Sequence, residues 1–360
     1  MKNKKILCAF LTALLAVSAV SCGSSDESSE ESTTGTSEAV TEDTSAEKES
    51  TDVSENTTEA ETEKSADNVD INDYITSEQP EPALWKVTDK ESGNELYMMG
   101  TIHIAGDNTF PLPDYIMDVY ESCDGIAVEY DVNAIESDYS LMQEFVFSMA
   151  YADGSTIKDH LSEETYEKAK GYFQEIGQYN ELLDIYTSGF WISQIQSMAL
   201  LSIENMNSSG VDATFLSYAA EDNKEIVNIE TLEIQAAAIT AYSDELADYL
   251  LEDLIDNIDD VESLAETFGE MYNAWADGDI DLLADIDSDT EGIPEELIDD
   301  YMEYQNFVVN ERNEGMAEKA AEFIENGDNY FFMVGALHFA GDNGVDDMLE
   351  DMGYTVERIA

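Results

Sequence analysis

The stretch MMGTIHIAGDN at residues 98–108 returns as MVGALHFAGDN at residues 333–343. Aligned on Gly100 and Gly335, the two share Gly, His, Ala, Gly, Asp and Asn in the same order. The chain has three histidines, and these copies hold two of them, His103 and His338. Each copy reads as an apolar strand that ends in a histidine just ahead of a polar turn. Alternation places Thr101 with His103, and Ala336 with His338, on one face. Gly100 and Gly335 carry no side chain and leave room for close approach. Ligands of open α/β sheets bind beyond the carboxyl ends of the strands, so two such strands side by side would put both imidazoles at one rim.

A third member follows from the next strand. GIAVEYDV alternates Ile126, Val128 and Tyr130 on one face with Glu129 on the other. An acid late in a buried strand is costly unless it is paired or coordinated. Two imidazoles and one carboxylate could hold a divalent metal with a position left open for water, as in His2Glu zinc sites. A histidine before a polar turn can also simply hydrogen-bond that turn. The duplication, in a chain so poor in histidine, favours a shared site. His160 lies outside the repeat and reads as structural.

The surrounding pattern predicts an α/β (α+β) fold. Leu84–Val87 and Leu96–Ile104 form a hairpin across Ser92-Gly93-Asn94, and residues 111–122 form a helix entered through Pro111 and Pro113. Strands are expected at 124–132, 225–229 and 329–343, with a helix and a last strand to the C-terminus. Between them lie long helical stretches, one of them capped by Ser162. The sheet is therefore expected from N- and C-terminal strands, with a large helical insertion as cap or wall.

The front of the chain reads differently. Residues 1–22 join Lys2, Lys4 and Lys5 to a short apolar run, shorter than the ~20 residues of a membrane-spanning helix. Ala19-Val20-Ser21-Cys22 resembles a bacterial lipobox, which implies export, lipidation of Cys22 and a membrane tether; an ordinary signal peptide is the alternative. Residues 23–82 are Ser, Thr, Glu and Asp with almost no large apolar residue and are expected to be a disordered acidic linker. Cys123 is then left without an intramolecular partner and reads as a small buried hydrophobe. With 82 acidic against 14 basic residues the chain repels phosphates, which argues against nucleic acid as a partner.

Taken together, residues 83–360 resemble the TraB/GumN family, the PrgY/TIKI-like group. The resemblance rests on Gly100-Thr-Ile-His103 and Gly335-Ala-Leu-His338, on Val128-Glu129, on Gly210-Val211-Asp212, on Ile229-Glu230-Thr231 with Gln235, and on Arg312-Asn313. It implies a core shared with ChaN-like and erythromycin-esterase-like proteins. Animal members are described as divalent-metal-dependent proteases favouring manganese or cobalt. Carried over, His103 and His338 would be metal ligands and Glu129 a ligand or general base. Glu230 would be a further acid of the site, Arg312 an oxyanion or carboxylate clamp, and Asp212 a supporting residue. The resulting expectation is a lipid-anchored, metal-dependent hydrolase of peptides or proteins. The alternative is a non-catalytic protein that sequesters a peptide or signalling molecule.

Overall fold

The computed structural model describes residues 69–77, 79–207 and 209–359. The leader at 1–22, Cys22 and most of the expected linker lie outside these residues.

Among the described residues, eight strands form two sheets. The larger runs in the order β6-β4-β7-β2-β1-β8, with β1 (Leu84–Thr88), β2 (Glu95–Thr101), β4 (Gly125–Val128), β6 (Glu225–Asn228), β7 (Tyr330–Gly335) and β8 (Thr355–Arg358). The smaller pairs β3 (Ala105–Gly106) with β5 (Met206–Asn207). Strands β6, β4, β7 and β2 are mutually parallel, whereas β1 and β8 pair antiparallel at the far side. Strands β4 and β7, at the centre, are almost wholly buried, whereas β6 and β8 at the edges are half exposed. That gradient explains the sequence: buried parallel strands read as continuous apolar runs such as YFFMVG.

Helices fill the connections, as expected from the mixed α/β pattern. Ser162 caps its helix, accepting from Thr165 N at 3.1 Å. The middle of the chain also gives the sheet an edge strand, β6, so the sheet is not built from the two ends alone. Cys123 is buried among apolar residues, and burial pushes its thiol up.

Four boundaries differ from expectation. The expected linker ends earlier than residue 82. Val69 O accepts from Glu204 N and Ile71 N donates to Glu204 O, while Ile71 is fully buried. Sparse apolar residues there, Ile71, Tyr74 and Ile75, suffice to dock the segment on the core. The helix expected from Pro111 begins at Asp114. Strand β2 ends at Thr101 rather than Ile104, and β7 ends at Gly335. The residues Ala336–Phe339 form a 3-10 turn instead of continuing the strand. There Phe339 stacks on Trp85 with ring centroids 4.3 Å apart, a contact that an extended backbone would not set up.

Candidate functional site

Strands β2 and β7 lie side by side in parallel, with Thr101 opposite Gly335, so the two copies end at one edge of the sheet. The contact is tight. A methyl group on Gly100 would stand 2.9 Å from Ala336 Cα. On the other flank β4 runs parallel to β7 and ends at Val128, which delivers Glu129 to the same edge. Pairing with β6 continues past the strand ends: Ile229 N donates to Val128 O at 2.8 Å and Glu230 N to Glu129 O at 3.0 Å. Glu230 thereby stands beside Glu129.

Two helices complete the set. Gly210 precedes the helix Val211–Asp222 and lies against the His103 bend, where a Cβ would come within 2.3 Å of Ile102 O. Val211 N donates to Ile102 O at 2.8 Å, and the next residue, Asp212, meets His103 Nδ1 at 3.1 Å. The glycine of Gly-Val-Asp is thus what allows its aspartate to reach the imidazole. The helix Glu311–Asn326 follows a π-helical turn at Asn306–Asn310, where Val308 O accepts from Arg312 Nη1 at 3.0 Å. Such turns occur often at functional sites.

Arg312 lies buried between two carboxylates. Its Nε and Nη2 donate to Glu230 at 2.8 and 2.7 Å, and Nη2 also donates to Glu129 Oε2 at 2.6 Å. Gln235 Nε2 donates to both acids. With most of its N–H groups occupied, Arg312 holds the acids in place and has little capacity left to clamp a substrate carboxylate. Glu129 Oε1 accepts from Gly335 N at 2.7 Å. Burial would raise the Glu129 proton affinity, but Arg312, the imidazoles and that N–H outweigh it and hold the carboxyl well below its usual range. Glu230 shifts upward, chiefly through burial. All its side-chain partners are N–H donors, an arrangement suited to the carboxylate, so we read Glu230 as the anchor of Arg312.

The histidines are braced differently. His338 is completely buried, and its Nδ1 lies 2.6 Å from Asn313 Oδ1. Asn313 Nδ2 in turn donates to Asn343 O at 2.8 Å, which fixes the carboxamide with its oxygen toward the ring. Nδ1 therefore carries the hydrogen and Nε2 a lone pair. That Nε2 has no hydrogen-bond partner and faces Glu129 Oε1 at 3.6 Å. Two acceptors confronting each other in a buried place call for something positive or protic between them. His103 is likewise fixed through Nδ1, here by a carboxylate, and its Nε2 points to the same place. A methyl group on Gly335 would stand 3.2 Å from Glu129 Oε1, 3.6 Å from the His338 ring and 3.8 Å from His103 Nε2. Burial and the Arg312 charge push His338 down to about 3. Burial acts the same way on His103, but Asp212 outweighs it and raises the ring to about 9.

Two imidazole Nε2 atoms and a carboxylate oxygen are a donor set suited to a divalent ion, and a held Nδ1–H is the usual brace of a metal-binding histidine. The unpartnered His338 Nε2 fits that role. The atoms do not form a closed cage, however: among the described residues no three acidic, histidine or cysteine side chains stand close enough to hold an ion as they are.

Every residue expected at the site from sequence is brought to this edge, although His338 arrives on a 3-10 turn rather than a strand. His160 lies elsewhere. It stacks on Tyr151 and joins Ser155 to Asp244. Asn313 and Gln235 were legible within the motifs, but their roles were not, because each is defined by a partner distant in sequence.

Comparison with protein families matches residues 83–358 to the TraB/PrgY/gumN family. The chain belongs to that family. No curated protein matches it. No solved structure matches it either.

Proposed function

We propose that this TraB/PrgY/gumN protein is a hydrolase of peptides, with His103, His338 and Glu129 as the ligands of a divalent metal. The observation that carries the reading is the buried, partnerless Nε2 of His338 aimed at the Glu129 carboxylate. A metal bound there would polarise a carbonyl and lower the pKa of water. Manganese, cobalt and zinc all suit nitrogen and oxygen donors. The protein's own groups supply the rest. Asp212 and Asn313 lock the two imidazoles with Nε2 outward. Arg312 and the Gly335 N–H keep Glu129 ionised. Glu230 and Gln235 hold Arg312 and the carboxylate pair in register.

A second reading has its own support, the two imidazoles that face one place beside Glu129. A neutral His338 could take a proton at Nε2 while a protonated His103 gives one up, without metal. Non-catalytic sequestration of a peptide would leave both histidines without a chemical task. We further propose that Cys22 carries a lipid anchor and that the protein works outside the cytoplasm. A Cys22→Ser chain released from the membrane fraction supports this; one that stays there refutes it.

The deciding experiment is metal analysis of the purified protein beside a His103→Ala/His338→Ala variant, with mass spectrometry of a peptide mixture incubated with each. Bound metal and chelator-sensitive cleavage, both lost in the variant, support the metal reading. Cleavage that survives chelator but not the substitutions supports the metal-free one. No cleavage under any condition overturns both.

A further inference from the structure

The Arg312 end of the site opens into a cavity of about 380 Å³, with Glu230 and Arg312 in its wall. That size lies within the range of ligand pockets. The cavity runs between the helix Leu232–Thr240 and the helical stretch around Arg312. Ile229, Ile234, Ala237, Phe307 and Met316 give it an apolar lining, and Ile234 shows 39% of its surface to solvent. Glu233 and Glu311, both exposed, contribute one carboxylate from each helix.

Acidic residues abound on this chain, so the two carboxylates alone would mean little. Their setting gives them weight. Arg312 is the only basic residue among the described residues lining the cavity, and its charge is already opposed by both Glu129 and Glu230. The cavity therefore joins an apolar lining to an excess of negative charge and reaches Glu230, one of the two buried acids. Gly315 lines the cavity on the same helix as Glu311 and is exposed; a Cβ built there meets no atom within 4 Å, so a larger residue would stand in the open mouth.

We infer that this cavity is a binding subsite for a basic side chain, lysine or arginine, of a peptide. The aliphatic stem lies along Ile234 and Phe307, and the cationic head meets Glu233 and Glu311. A glutamate of similar length would face uncompensated negative charge, and an uncharged aliphatic residue would satisfy the apolar lining alone. The biological use of the subsite as a selector of cleavage substrates rests on the hydrolase reading above; the binding itself does not.

The test uses the full chain and three fluorescein-labelled hexapeptides that differ only at a central lysine, norleucine or glutamate. Fluorescence anisotropy should rank lysine about five- to tenfold tighter than norleucine, with glutamate weakest. Gly315→Leu, which puts a side chain into the mouth of the cavity, should weaken the lysine and norleucine peptides by about tenfold without lowering the melting temperature, since glycine is the poorer helix former. Glu233→Gln/Glu311→Gln should erase the advantage of lysine over norleucine while leaving norleucine binding intact. Equal binding of the three peptides, no binding by any, or indifference to Gly315→Leu overturns the subsite. Mass spectrometry of the same samples separates this from the hydrolase reading. Selective binding without cleavage preserves the subsite and removes the hydrolase, whereas cleavage without lysine preference does the reverse.

Discussion

The two copies of the histidine motif start alike and end differently. The first leaves β2 in a bend, keeps its imidazole slightly open to solvent and pairs it with a carboxylate, Asp212. The second leaves β7 in a 3-10 turn, buries its imidazole completely and pairs it with a neutral carboxamide, Asn313. The same residue type is thereby driven in opposite directions, up to about 9 in one copy and down to about 3 in the other. Identical local sequence does not give identical chemistry. The helix that docks against each copy decides it.

The braces should differ most under substitution. Asn313→Ala leaves the His338 Nδ1–H and the Asn343 carbonyl without partners in a buried place and should cost about 2–4 kcal/mol in denaturant unfolding. Asp212→Ala, nearer the surface, should cost about 1 kcal/mol. Equal costs would show that the copies are energetically alike after all.

The paired glycines sharpen the contrast. Gly100→Ala would drive a methyl group against the Ala336 backbone and should cost about 1–3 kcal/mol. Gly335→Ala places its methyl group between Glu129 and the imidazoles, so it should spare stability and weaken metal binding about tenfold, measured by calorimetry. A Gly335→Ala chain that binds metal normally would remove that glycine from the site.

Titration gives the gentlest test, a difference in the sign of a pH slope. Between the ordinary imidazole value of 6.5 and about 9, folded His103 holds a proton that the unfolded chain has released, so stability falls as pH rises through that window. Between about 3 and 6.5 the unfolded chain binds a proton that folded His338 refuses, so stability falls as pH drops. His103→Gln should flatten the alkaline limb and His338→Gln should shallow the acid one, which the buried carboxylates also shape. Loss of the wrong limb in either variant would reverse the assignment of the two environments.

How far the sequence carries depends on the range of the interaction. The meeting of Gly100 and Gly335 strands was legible because the repeat announces it, and Glu129 because a buried acid demands a partner. The 3-10 turn at Ala336–Phe339 was not, since an unbroken apolar run suits a strand and the turn's contacts, with Trp85, Gly100 and Asn313, come from distant segments. The docking of residues 69–77 was hidden in the same way: Ile71 stands among polar neighbours, and its burial depends on Glu204, far along the chain. The role of Arg312 as a tie between two acids depends on three segments that no local pattern connects.

Strand β7 occupies the middle of the larger sheet, yet nearly the whole chain is made before it. Until residues 330–335 exist, β6-β4 and β2-β1 have no strand to join them. A chain emerging from the ribosome therefore carries two unfinished half-sheets from the making of β6 until β7 follows, about a hundred residues later. Glu129 and His103 wait on separate pieces for the same late segment that brings His338. Loss of the last thirty or so residues would thus remove the centre of the sheet and the meeting place of Glu129, His103 and His338 in one stroke.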